Sequence, residues 1–235
     1  FGCHYCDAAM FDDQVGDFSD AFKYYYDVIL KPFSKFMLKA IDKIRPLEIS
    51  AICPGHGPIL RSDWKKWVDI SEMYAKAALD EPQDNRVFIP YVSAYHKTGL
   101  IAEHIAAGVR KVNGMVAEPA DIEMRSIGDM DAAIARSAAV VVGSPTINQN
   151  ILLPVYKLFA VINPIRDKKK VAGAFGSYGW SGEGKTIIEA NLKRLKLDLF
   201  REGLFVKFSP GDNDLQAAED YGEEIARTVQ AGREG

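Results

Sequence analysis

Residues 170–186, KVAGAFGSYGWSGEGKT, constrain the fold more than any other stretch. The apolar run 171–175 has the pattern of a strand buried on both faces of a parallel sheet. The chain then breaks into a loop rich in glycine and hydroxyl residues, and regular apolar spacing resumes at Ile187. Strand, glycine-rich loop and helix is how open α/β sheets hold ligands at the carboxyl ends of their strands. Glycines let the backbone approach a flat ligand, while hydroxyls and peptide N–H groups supply donors. Tyr178 and Trp180 offer ring faces to an aromatic ligand.

The same unit recurs. Residues 87–92 and 138–143 are apolar runs that also end in polar loops, and 204–208 reads as a fifth strand. A weaker strand is expected at 121–125. Helical spacing occupies 98–111, 130–137, 152–162, 184–197 and 215–229. Five strands alternating with helices predict a doubly wound parallel sheet. Pro90 conflicts with a central strand, and a bulge at that proline would accommodate it.

Upstream of residue 80 the pattern changes. Residues 18–44 have helical spacing, interrupted or kinked at Pro32. The aromatic run Phe22, Tyr24, Tyr25 and Tyr26 is expected in the helix core. Residues 49–53 read as a short strand. Pro54-Gly55-His56-Gly57-Pro58 is a rigid turn projecting one imidazole, and Ser62 is the expected N-cap of a helix running to about residue 79. Linker composition at 80–85 divides the chain into 1–84 and 85–235. Lys168, Lys169 and Lys170 read as a solvated turn.

Composition excludes several classes. A net charge of −3 gives no reason to expect nucleic acid or an anionic membrane. No apolar run reaches the roughly 18 residues of a membrane-spanning helix. Three cysteines among 235 residues argue against a disulfide framework and fit a reducing cytoplasm. Cys3, Cys6, Cys53 and His56 have spacing compatible with a zinc set, although a CxxC pair in a loop is often incidental. His4 and His104 are expected to be non-functional, with His104 facing out. The chain opens at Phe1 rather than Met, and the expectation is a portion of a longer chain.

Three loops follow strands in the second part. The first, SAYHKT at 93–98, runs directly into a helix, whose N-terminus suits a phosphate. Ser93 and Thr98 would add hydroxyl donors. Neither the GxxxxGK[ST] phosphate loop nor the GxGxxG dinucleotide fingerprint is present. A single phosphate, with a flat ring between the second and third loops, fits this pattern. FMN is therefore expected rather than FAD or NAD.

SAYHKT, GSPTINQN at 143–150 and FGSYGWSGEG at 175–184 resemble the phosphate loop and two ring loops of flavodoxin-like domains, in the versions found in flavodiiron proteins. FGCH at the start and ICPGHGPI at 52–59 resemble the last part of the metallo-β-lactamase-like domain of that family. The resemblance implies a flavodoxin-like five-stranded sheet preceded by a helical C-terminal remnant of that domain. It implies an enzyme that reduces dioxygen or nitric oxide at a non-haem diiron centre, with electrons delivered by FMN. The phosphate-loop role carries to Ser93, Tyr95, His96, Lys97 and Thr98. The ring-contact role carries to Ser144, Pro145, Thr146, Asn148, Ser177, Tyr178, Gly179, Trp180 and Gly182. His56 matches the family's last histidine ligand. The other ligands, including an HxExDH motif, have no match here, so this chain is not expected to hold the metal pair or to be active alone. No rubredoxin-like CxxC…CxxC module follows. The donor is expected to be a separate rubredoxin-like protein or a reduced flavin or deazaflavin donor. A head-to-tail homodimer or higher homo-oligomer would bring one subunit's flavin to the other's metal site. The alternatives are a flavodoxin-type electron carrier with a helical N-terminal extension, and a binding module with a vestigial flavin site.

Overall fold

The computed structural model describes residues 1–3, 9–80 and 84–234. It comprises two units, residues 1–81 and 82–235. His4, Cys6 and linker residues 81–83 lie outside the described residues.

The first unit is built on α1 (Ser19–Tyr25), α2 (Ser34–Ile44) and α3 (Trp64–Asp80). Between α1 and α2 the chain passes through a π turn, Tyr26–Leu30, and a 3₁₀ turn, Lys31–Phe33. Pro32 sits in that second turn, where its missing N–H breaks the regular ladder. Phe18 and Phe22 pack on the Trp67 ring, with centroids 4.3 and 4.6 Å away. Phe22, Tyr25 and Tyr26 are buried, but Tyr24 is exposed. The strand expected at 49–53 reduces to one antiparallel bridge, Ile52 to Leu60. Ser62 does not act as the expected cap. Its hydroxyl donates to the Asp12 carboxylate at 2.9 Å, which also accepts from the N–H groups of Arg61, Ser62 and Asp63. Burial raises the Asp12 pKa, but those donors outweigh it and hold the carboxyl below its usual range.

The second unit alternates β1 (Asp84–Tyr91), α4 (Lys97–Arg110), β2 (Val116–Asp121), α5 (Ile127–Arg136), β3 (Ser137–Gly143), α6 (Leu153–Val161), β4 (Val171–Tyr178), α7 (Glu183–Arg194), β5 (Asp198–Leu199), β6 (Leu204–Lys207) and α8 (Asp212–Glu234). Asp84, expected in the first part, opens β1. The sheet is parallel, in the order β2-β1-β3-β4, and its far edge is shared by β5 and β6. β5 pairs with Val171 and Ala172, and β6 with the segment from Phe175 to Tyr178. Where the edge is interrupted, the Ala174 N–H donates to the Tyr221 hydroxyl at 3.1 Å. Period-two alternation along β3 feeds two cores. Ala139 and Val141 pack with α4 and α8, while Val140 and Val142 pack with α5, α6 and α7.

Several boundaries differ from expectation. The second strand is 116–121 rather than 121–125, because an edge strand tolerates Pro119 and a charge. Glu118 accepts there from Arg86 at 3.1 Å and from Arg136 at 2.9 Å. β4 continues through Gly176, Ser177 and Tyr178, since β6 supplies a partner for each. Pro90 pairs with Ala120 in regular register, and the register shift in β1 falls instead between Asp84 and Val87. Lys170 is not solvated. It is buried, paired with Asp167 at 3.2 Å, and its ammonium donates to the Ile134 carbonyl.

Candidate functional site

From β1 the chain moves out to β2, then returns to β3 on the other side of β1. Loops leaving β1 and β3 therefore diverge, opening a crevice at the carboxyl ends of the strands. Loops after β1, β3, β4 and β6 enclose a cavity of about 640 Å³ there, within the range of small-molecule sites, roughly 300–1,000 Å³.

The first loop contributes Tyr95, Lys97 and Thr98. His96 turns the chain into α4 with left-handed backbone, φ 59°. A helix leaves its first N–H groups without intrahelical partners. The Gly99 N–H donates to Ser93 Oγ at 3.1 Å, and that of Leu100 to the His96 carbonyl at 3.0 Å. Those of Lys97 and Thr98 find no acceptor among the described residues. The buried Thr98 hydroxyl lies 3.1 Å from Ser177 Oγ, joining the first and third loops.

The second loop is braced from behind. Ser144 is buried; its Oγ accepts the Leu152 N–H at 3.1 Å and donates to the Pro145 carbonyl at 2.9 Å. The Thr146 N–H donates to the Ser177 carbonyl at 2.8 Å, and Thr146 Oγ1 accepts the Gly184 N–H at 3.3 Å. Ile147 and Asn150 exchange backbone hydrogen bonds across Asn148 and Gln149, at φ 51° and 58°. Positive φ at both central residues is the mark of the mirror-image turns that close tight hairpins.

The third loop presents Ser177, Tyr178, Gly179, Trp180 and Ser181, with Trp180 94% exposed. The fourth, after β6, presents Phe208 and Ser209. Among the described residues, six non-glycines have positive φ: His96, Asn148, Gln149, Phe208, Lys169 and Lys196. The first four belong to the cavity loops, so backbone strain concentrates at this site.

Ten of the residues singled out in the sequence line the cavity together: Tyr95, Lys97, Thr98, Pro145, Thr146, Asn148, Ser177, Tyr178, Gly179 and Trp180. Ser93, His96, Ser144 and Gly182 stand outside the lining and shape the loops. Gly182 precedes α7, and its carbonyl accepts the Lys185 N–H at 3.2 Å. Sequence reasoning missed Ile147, Gln149, Ser181, Phe208 and Ser209. The first three lie inside or beside loops already identified. The Ser209-Pro210-Gly211 turn after the fifth strand marks the fourth loop.

The flavodoxin family model matches residues 89–222, which include all four loops. This chain belongs to the flavodoxin family. Flavodoxins are themselves the standard illustration of FMN bound at the β1/β3 crevice. Over 96% of its length the chain is 35% identical to the type A flavoprotein of Rhodobacter capsulatus, covering 52% of that protein. It is likewise 35% identical to a flavo-diiron protein of Clostridium acetobutylicum, over 97% of this chain and 58% of that one. The rubredoxin oxygen:oxidoreductase of Desulfovibrio gigas superposes with a TM-score of 0.70 and 29% identity, over all of this chain and 59% of the other. The similarity to flavodiiron proteins thus runs through both units. The chain spans about half the length of the curated relatives it matches.

The flavodoxin-family site has the chemistry FMN requires. The α4 N-terminus offers backbone donors for one phosphate, and Lys97 is the charged residue in the lining. The rings of Tyr95 and Trp180 stand exposed on the rim, an expensive arrangement for aromatic surface unless a flat ligand covers it. Among the described residues, no helix is long and apolar enough to cross a membrane.

The described residues do not make a diiron site. His56 lies on its turn with its ring 5.9 Å from that of Tyr25, and its carbonyl accepts the Cys3 N–H at 3.3 Å. Gly57 has φ 88°, and a Cβ there would fall 2.8 Å from Cys3 Sγ. Cys3 is buried and Cys53 exposed. Among the described residues, no group of three or more His, Cys, Asp or Glu side chains is placed to hold a metal ion.

Proposed function

We propose that this chain is the FMN-binding, electron-transfer portion of a flavodiiron oxidoreductase that reduces dioxygen or nitric oxide. The observation that carries the reading is the cavity made by a helix N-terminus together with aromatic loops. Bound there, FMN would supply one- and two-electron transfer between a reduced donor and an acceptor. The Lys97 and Thr98 amides and the Thr98 hydroxyl would hold its phosphate. Pro145, Thr146 and Asn148 would fix one side of the ring, and Tyr178, Gly179 and Trp180 the other. Tyr95 and Trp180 would exclude water from its faces. His56 would be one ligand of a metal centre whose remaining ligands lie outside this chain, in a metallo-β-lactamase-like domain of which residues 1–81 would be the end. The donor would be a separate rubredoxin-like protein or reduced flavin. A head-to-tail homodimer would unite the two cofactors across subunits, in a cytoplasmic setting consistent with the low and odd cysteine count.

Fluorescence titration tests the flavin assignment directly. FMN is expected to bind in preference to FAD and NAD, and tight FAD binding without FMN binding would overturn it. One observation favours a second reading, a flavodoxin-type carrier: the cavity is completed entirely by residues of the second unit. Oxygen or nitric oxide consumption by a chain of the relatives' length separates the two.

A further inference from the structure

Phe208 has no place in either core of the second unit. Its backbone is left-handed, φ 62°, a conformation that a bulky residue adopts only under constraint and glycine adopts freely. The constraint is visible. Lys207 pairs with Tyr178 at the end of β6, and the Phe208 N–H donates to the Tyr178 carbonyl at 2.6 Å. The ring is 58% exposed and lines the cavity beside Tyr178, Gly179 and Trp180. A Cβ on Gly179 would fall 3.7 Å from the ring edge, so the ring lies against the third loop. Lys207 Nζ stands 5.4 Å from the ring centroid and helps to orient it. Strain and exposure thus coincide on one residue that is only partly buried inside the protein. A residue retained under those conditions is explained by contact with a ligand.

We infer that Phe208 is a ring-contact residue for the isoalloxazine, contributed by a fourth loop. This inference rests on the FMN reading and extends it to a residue outside the three motif loops. The backbone N–H that pins Tyr178 is common to every residue except proline, so substitution can remove the ring without removing the pin. Glycine at 208 should relieve the strain and stabilise the protein without ligand, while weakening flavin binding. A residue serving only the fold would not give opposite signs.

The experiment is a fluorescence titration of the chain and of its Phe208→Ala and Phe208→Gly variants with riboflavin and with FMN, alongside thermal unfolding without flavin. Both variants should lose affinity by about 2- to 12-fold, consistent with loss of one aromatic contact. The factor should be the same for riboflavin and FMN, because only the shared ring is touched. Phe208→Gly should unfold at a higher temperature than the parent. Variants that bind riboflavin as tightly as the parent would overturn the inference, as would a loss confined to FMN. If the parent binds neither flavin, the FMN reading fails and takes this inference with it. Parent binding with unaffected variants overturns the inference alone.

Discussion

Thr98 and Ser177 meet hydroxyl to hydroxyl at 3.1 Å, so whichever accepts in that pair keeps its proton for a ligand. Ser93 has a second task, since its Oγ accepts the Gly99 N–H while keeping its own proton for a ligand. The two hydroxyls of the SAYHKT loop should therefore separate by experiment. Thr98→Val should weaken FMN by about 10- to 100-fold, the worth of a hydrogen bond to a charged group, and leave riboflavin unchanged in the same titration. Ser93→Ala should in addition lower the stability of the flavin-free chain by about 1 kcal/mol, as loss of a helix-start acceptor does, which Thr98→Val should not do through that acceptor. A second buried pair stands at the opposite end of the sheet. Burial pushes the Asp167 carboxyl up, but Arg166 hydrogen bonds and the Lys170 and Arg166 charges outweigh it and hold it below the usual carboxylate range. Burial pulls the Lys170 ammonium below its usual value despite Asp167. A carboxyl with a depressed folded-state pKa stabilises fully above its unfolded value of about 4 and loses that contribution as pH falls through the folded value. Asp167→Ala should cost about 3–5 kcal/mol at neutral pH, because it strands a buried cation. Urea unfolding across a pH series should show its gap from the parent closing only on strong acidification.

Helices α4 and α8 cross with backbone against backbone. A Cβ at Gly108 would fall 1.8 Å from the Glu219 carbonyl oxygen, and one at Gly222 would fall 1.9 Å from that of Ile105. Neither obstacle is a side chain that can swing away. Gly108→Ala should therefore destabilise by about 3 kcal/mol or more, although helix propensity alone predicts a gain of about 1 kcal/mol. The sign of the shift in a thermal melt decides between them. The interrupted edge makes a milder case. Tyr221→Phe would leave the Ala174 N–H buried without its acceptor, at a cost of about 1–3 kcal/mol. These features also mark where sequence reading stopped. Strand–helix alternation and the three loop motifs were legible, because apolar period and turn chemistry are local. The start of β2 was not, since Glu118 and Pro119 look like loop until an edge position and arginine partners are known. Nor was the extension of β4, which depends on β6, nor the role of Gly108, which depends on a helix more than a hundred residues away. Phe208 escaped for the same reason, because its constraint is the long-range pairing of Lys207 with Tyr178.

At the scale of the molecule, each unit has a core of its own. Phe18, Phe22, Leu60 and Trp67 form one cluster in the first unit, and Met37, Ile41, Val68 and Ala75 another. The second unit has the two clusters that face either side of the sheet. Separate cores predict separate cooperative unfolding. All residues lining the cavity belong to the second unit. A ligand that binds only the native form stabilises it by RT ln(1 + [L]/Kd), about 2.7 kcal/mol at a hundredfold excess over Kd. Differential scanning calorimetry of the chain should therefore resolve two transitions, and FMN at that excess should raise only one. The shifted transition should carry the larger enthalpy, since unfolding enthalpy scales with residue number and the second unit is the longer. The first unit's transition should stay in place, because none of its described residues lines this cavity. Thr98→Val should shrink the shift by lowering occupancy, and Asp167→Ala should lower the same transition with and without flavin. A single transition that moves as a whole with FMN would show that the units unfold as one.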